Sequence, residues 1–133
     1  MEVTWEERGG AIVMRVAGEV DGSNFEQLIE AGRKALDGGT GRLLLDLSGC
    51  GFMSSAGLVA LHSLALLSRG EEPPDPERGW AASHALGQGP GGGREASFKL
   101  VGPQPAVLRS LEKTGMTGFL DVFDDLDAAL ASF

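Results

Sequence analysis

Two adjacent hydroxyls, Ser54 and Ser55, stand just ahead of a long, almost uncharged helical pattern that begins at Leu58. Behind them lie an apolar run from Leu43 to Leu47, broken only by Asp46, and a turn signal, Ser48-Gly49-Cys50-Gly51. Together these read as a buried strand, a loop and the N-terminus of a helix with hydroxyls at its mouth. A helix N-terminus exposes unpaired N–H groups and carries partial positive charge, so it accepts a hydroxyl cap or a phosphate. Capping and loop hydrogen bonding are the ordinary roles of both serines. Nucleophilic chemistry fits poorly. Gly57 supplies an S-x-G, but Met53 stands where the first glycine of a nucleophile elbow belongs. His62 is two helical turns from Ser55, too far to activate its hydroxyl, and His84 falls in the Pro/Gly-rich insertion.

The remaining candidate groups have simpler roles. Cys50 is a lone cysteine with no second ligand nearby, so no metal site is expected. Asp21 and Asp46 could resemble paired carboxylates, but Asp46 reads as a loop-capping acid at a strand end. The cluster Asp121, Asp124, Asp125 and Asp127 reads as a solvated helix start favoured by the helix dipole. No G-K-[ST] follows the GQGPGGG segment, so it is not a phosphate loop.

The elements that must position these groups follow from periodicity. Val3 to Glu7, a turn at Arg8-Gly9-Gly10 and Ala11 to Ala17 predict an opening hairpin. Ser23, three residues before Glu26, has capping-box spacing for a helix with Phe25, Leu28, Ile29, Gly32, Ala35 and Leu36 on one face, ending at Asp37-Gly38-Gly39. Leu43 to Leu47, apolar on both faces, predicts a central strand. A second helix from Ser55 or Ala56 to Ser68 turns Leu58, Leu61, Ala65 and Leu66 inward. Composition then changes: residues 71–95 hold EEPPDPERGW and GQGPGGG, the signature of an insertion of about 25 residues. Arg78 to Leu86 is a candidate short helix within it, with Trp80 folding back onto the domain. Order resumes with a strand at Ala96 to Val101, a helix at Gln104 to Lys113, and a short strand at Phe119 to Phe123. A last helix follows, capped by Asp124 or Asp125, with Leu126, Ala129, Leu130 and Phe133 inward. Strands separated by single helices predict an α/β protein with a mostly parallel or mixed sheet.

A length of 133 residues suits one domain with a single core. The formal net charge of −8 argues against a nucleic-acid binder, which needs a basic face, and equally disfavours an anionic membrane surface. One cysteine excludes an intramolecular disulfide framework and fits a reducing cytoplasm. Charge soon after Met1 gives no leader pattern, and Leu58 to Leu67 falls far short of the roughly 20 residues of a membrane span, so a cytoplasmic protein without direct membrane insertion is expected.

Four segments resemble the STAS domain family of sulfate-transporter cytoplasmic domains and bacterial anti-sigma factor antagonists. Ala17-Gly18-Glu19-Val20-Asp21 is similar to the family's G-E-[LV]-D, and Leu43 to Ser48 to its central strand ending in D-[LF]-S. Phe52-Met53-Ser54-Ser55-Ala56-Gly57-Leu58 resembles F-[IM]-D-S-[SA]-G-L, and Pro105 to Leu111 with Thr114-Gly115-Met116 resembles P-x-V-x-R-x-L-x-x-[ST]-G-[LM]. The resemblance implies a single STAS domain over residues 1–133, interrupted near 71–95, with a small mixed β-sheet and helices packed mainly on one side. It implies an anti-sigma factor antagonist, not an enzyme and without a cofactor or metal, that binds an anti-sigma factor/serine kinase. Ser55 is then the phosphorylation site, a phosphatase reverses the modification, and Asp21, Ser54, Ser55, Ala56, Gly57 and Val59 form the partner-binding set. Ser54 departs from the family's aspartate, and Ala56 and Val59 stand where many members have Ser and Gly. The alternative is a STAS subunit that docks on a membrane transporter of the lipid-transport ABC permease type. A small-ligand or nucleotide-binding STAS domain is a third reading.

Overall fold

The computed structural model describes residues 1–37, 41–71 and 96–133. The expected helix end at Gly38-Gly39 and nearly all of the candidate insertion, with Trp80 and His84, lie outside the described residues.

The chain opens with a hairpin. Strands β1 (Glu2–Arg8) and β2 (Ala11–Ala17) pair antiparallel from Glu2 opposite Ala17 to Arg8 opposite Ala11. Gly9 and Gly10, at φ 59° and 83°, supply the two left-handed residues that a tight turn of matching twist requires. From there the topology is parallel. Helix α1 (Phe25–Leu36) leads to β3 (Leu43–Gly49), and helix α2 (Ser55–Ser68) precedes β4 (Phe98–Val101). Helix α3 (Pro105–Lys113), β5 (Val122–Phe123) and helix α4 (Leu126–Ala131) complete the chain. The sheet order is β1-β2-β3-β4-β5, with β1 antiparallel to its neighbour and the remaining pairs parallel.

Alternation along the strands divides the core in two. Ile12, Met14 and Val16 of β2, Leu43, Leu45 and Leu47 of β3, and Phe98 and Leu100 of β4 join α1, α2 and α3 in the main cluster. Val13, Leu44 and Val101 point to the other face, where Ala129 of α4 covers them with Leu126, Leu130 and Phe133 around it. The sheet therefore carries three helices on one side and one short helix on the other, as expected. Full burial of each β3 leucine is worth about 1.5–3 kcal/mol, which explains why the central strand is apolar on both faces. Lys99 sits at the edge of the second cluster, 6% exposed; its Nζ donates to the Ser132 carbonyl and Oγ, 3.0 Å each, and tethers the end of α4.

Three expectations change. The Phe119 to Phe123 run is a strand only at Val122–Phe123. Gly115, at φ 79°, turns the chain into a 3-10 turn at Met116–Gly118, and the Leu120 N–H donates back to the Met116 carbonyl at 2.9 Å. Phe119 and Leu120 are nonetheless buried; a short apolar run reads as a strand because it has no periodicity that separates strand from turn. The strand expected over Ala96 to Val101 begins at Phe98. Helix α2 is buried on nearly all sides, Val59, Ser63 and Ser68 included, whereas Leu66 is only half-buried.

Candidate functional site

Because β2, β3 and β4 run parallel, the loops that leave them gather at one end of the sheet, where α/β proteins bind their ligands and partners. Backbone pairing joins the first two loops. The Gly18 N–H donates to the Gly49 carbonyl at 2.9 Å, and the Val20 N–H to the Phe52 carbonyl at 3.0 Å. The Ser54 N–H returns a bond to the Val20 carbonyl at 2.9 Å, so Val20 and Met53 form an isolated parallel bridge. Both side chains are buried. The third loop is tied in by Gln104, whose Nε2 donates to the Ser48 carbonyl at 2.8 Å. Asp21 and the two serines, separated by more than thirty residues in sequence, are thereby fixed as neighbouring segments.

Asp21 is held by its own turn. Its Oδ1 accepts the Ser23 hydroxyl and, at 2.9 Å, the Ser23 N–H. The hydroxyl first, and the backbone N–H second, hold the carboxyl below the usual aspartate range. This turn removes Ser23 from the role expected of it. Helix α1 starts at Phe25, Asn24 occupies the N-cap position, and no capping box forms between Ser23 and Glu26. The Asn24 side chain faces backwards instead, accepting from the Asp21 N–H at 2.9 Å and donating to the Glu19 carbonyl at 3.0 Å. A side chain that satisfies a nearby turn is lost to the helix end.

Ser55 is the first residue of α2 and is exposed. Ser54 holds the N-cap position in extended conformation, but its hydroxyl makes no capping bond; it is buried and without a hydrogen-bond partner. The expectation that Ser54 caps the helix is therefore corrected: the loop pairing orients its backbone toward Val20 and turns its hydroxyl inward. Ala56 is half-buried, and Gly57 and Val59 are buried. A Cβ on Gly57 would overlap Met53 Cγ and lie 3.1 Å from Val20 Cγ1, so only glycine lets α2 close onto the bridge. Of the six expected contact residues, Asp21, Ser54, Ser55 and Ala56 reach the surface, and Gly57 and Val59 support them from beneath.

His62 is half-buried, with no partner for its Nδ1, and burial pushes its pKa down. Seven residues along the helix place it about 10 Å from Ser55 along the axis, beyond proton-transfer reach. Cys50 is buried, its thiol donates to the Phe52 carbonyl at 3.2 Å, and burial raises its pKa, all of which suits a structural residue. Asp46 caps the end of β3 through the Ser48 N–H at 2.9 Å. No group of three or more His, Cys, Asp or Glu among the described residues is arranged to hold a metal ion. No described helix is long and apolar enough to cross a membrane. Two residues of this end have no role of their own in the sequence reading: Asn24, and Phe52, which stands only as the first residue of the loop motif. Asn24 carried a usable signal, since Asn favours helix starts. Phe52, 48% exposed beside the serines, carried none beyond its position.

The family model described as Mlab, STAS domain matches residues 3–72, just over half of the chain and three of the four motif segments. The chain belongs to the STAS domain family. No curated protein matches it in sequence. Among solved structures it is similar to an anti-sigma factor antagonist from Mycobacterium paratuberculosis, with a TM-score of 0.70 and 24% identity over 98% of this chain and 92% of that one. It is also similar to a putative anti-sigma factor antagonist from Thermotoga maritima (TM-score 0.69, 17% identity, 97% and 92% covered). A third similar structure is the Bacillus cell fate determinant SpoIIAA in its phosphorylated form (TM-score 0.54, 18% identity, 98% and 97% covered). At these identities the likeness is one of fold, and the STAS fold extends to the β4, α3 and α4 region beyond the matched residues. Within this STAS domain the motif segments after β2 and β3 converge on the Val20–Met53 bridge, and α3 joins them through Gln104.

Proposed function

We propose that this STAS domain is an anti-sigma factor antagonist, a protein-interaction switch rather than an enzyme. In its unmodified form it binds an anti-sigma factor that is also a serine kinase, and phosphorylation of Ser55 ends that binding. The observation that carries the reading is the placement of Ser55: an exposed serine at the first residue of a 14-residue helix, held by a loop paired to Asp21's segment. A phosphate there adds a charge of about −1.5 to −2 at the end of a helix dipole that stabilises it. Similar solved structures described as an unphosphorylated anti-sigma factor antagonist and as a phosphorylated SpoIIAA add support. Asp21, Ser54, Ser55 and Ala56 form the contact face, and a phosphatase restores the binding form. The protein acts in the cytoplasm as a single domain over residues 1–133 with an insertion near 71–95, and binds neither nucleic acid nor membrane.

The test is incubation with the candidate kinase and ATP, followed by mapping of the phosphate. Modification at Ser55, together with weakened binding by Ser55→Asp, is the expected result. An unmodified Ser55 with wild-type-like binding by Ser55→Asp would leave no switch. A second reading, a STAS subunit constitutively docked on a membrane transporter, uses the same face. It is favoured by Ser54, which leaves that position without the family's acid, and it predicts an unmodified Ser55 and no binding of the kinase by either form.

A further inference from the structure

Phe52 and Trp5 are the large hydrophobic side chains exposed among the described residues, at 48% and 42%. A single exposed aromatic is common and by itself marks nothing. The way Phe52 is held is less ordinary. Its carbonyl accepts from the Val20 N–H and from the Cys50 thiol, and the next residue, Met53, is buried in the bridge with Val20. The backbone beneath the ring is thus fixed before any partner arrives, and only the side-chain torsions remain to be ordered on binding. That low ordering cost is what makes rigid aromatics effective anchors. The charged residues of the loops at this end are of one sign. The loops that gather at this end, residues 18–24, 50–54 and 102–104, carry Glu19 and Asp21 and not one Lys or Arg. Glu19 is exposed, and Asp21 is held ionised by its turn. Phosphate-rich partners, nucleic acid or anionic lipid, are repelled by such a surface.

We propose that Phe52 is the anchor of the partner interface, seated in an apolar pocket on a protein whose rim carries Lys and Arg side chains facing Glu19 and Asp21. The proposal rests on the reading of this end as a docking face and adds its central contact and the chemistry of its partner. Central aromatic anchors dominate interface energetics, whereas rim charges act mainly on the rate of encounter.

The test uses the full chain and a purified candidate anti-sigma factor/serine kinase, with association and dissociation rates measured at low and high salt. Phe52→Ala is expected to weaken binding about 30-fold or more, chiefly through faster dissociation, with an unchanged urea midpoint. Trp5→Ala, on the edge strand, stays within about threefold of wild type. Glu19→Gln slows association at low salt and flattens its salt dependence. Binding by Phe52→Ala within about threefold of wild type overturns the anchor, and if Ser55→Asp is still impaired the switch reading survives. Loss of binding in Phe52→Ala together with wild-type binding by Ser55→Asp supports the anchor and removes the switch. A wild-type chain that does not bind this kinase overturns the docking reading and the anchor together.

Discussion

Replacing Gly57 by alanine sets two effects of opposite sign against each other at one atom. In an open helix position Gly→Ala is stabilising by about 0.8–1 kcal/mol, because alanine loses less backbone freedom. At Gly57 the added methyl has no room: it overlaps Met53 Cγ and approaches Val20 Cγ1 to 3.1 Å. Both neighbours are buried and belong to the backbone bridge, so neither can swing into solvent. Overpacking of this kind costs about 1–3 kcal/mol. The balance is a net destabilisation of up to about 2 kcal/mol, concentrated where α2 meets the Val20–Met53 bridge. Urea denaturation gives the global figure, and hydrogen exchange at the Val20 and Ser54 amides gives its location. Both amides should lose protection in Gly57→Ala more than amides in β3 do. Met53→Ala destabilises by itself, but in that background Gly57→Ala should cost less, since the overlapping atom is gone; the double-mutant cycle isolates that coupling. A Gly57→Ala variant that is more stable than wild type, with unchanged exchange at Val20 and Ser54, would refute the close-approach argument.

Two further perturbations test the site. Ser54→Ala should change stability by less than about 0.5 kcal/mol, against the roughly 1 kcal/mol typical of a lost N-cap, because the hydroxyl makes no capping bond; urea midpoints decide between the two values. His62 has a folded-state pKa below its unfolded value, so the unfolded chain binds the extra proton and stability falls as pH drops through the unfolded pKa near 6.5. Stability followed from pH 7.5 to 5.5 should therefore decline, and His62→Gln should flatten that decline; equal slopes in the two proteins would contradict a desolvated histidine.

The large features were legible because they rest on burial alone. An apolar run with no polar face marks a strand covered on both sides, and β3 is that strand. Glycine pairs marked the hairpin because no other residue takes two left-handed conformations in succession cheaply. What stayed hidden were choices among local partners of similar strength. Ser23 could cap α1 or satisfy Asp21, and the sequence spacing favoured the first; the turn around Asp21 and Asn24 took the second. Phe52 and Met53 formed an equivalent apolar pair in sequence, yet only Met53 can pair with Val20 while the chain enters α2, so Phe52 faces out. Burial of Gly57 and Val59 followed from α2 being enclosed on nearly all sides, which its own sequence could not decide, since a near-uniform apolar helix has no preferred face.

The proposed acidic docking face raises a question about how a further negative charge could end binding. Attraction between a phosphate on Ser55 and a cationic rim, at about 4 Å, is worth roughly 1–4 kcal/mol per charge pair for solvent-like to surface-like screening. Removing an ion from water costs several kcal/mol even after relaxation, unless it is fully paired and hydrogen-bonded. Which effect wins depends on where the charge sits. Glu19 is on an exposed loop; at the rim of the proposed interface it would stay hydrated and its charge would assist encounter. Ser55 lies three residues from Phe52, across a loop pinned by Val20, and in the proposed interface falls inside the ring from which the anchored contact excludes water. There the desolvation cost opposes the attraction, and in the proposed interface the phosphate also occupies space the partner needs. The loop itself keeps its pairing, because none of its bonds to Val20 involves the Ser55 side chain. In the proposed switch, release comes from the surface chemistry of one residue on an unchanged fold, and the same charge that would aid docking at Glu19 would oppose it at Ser55.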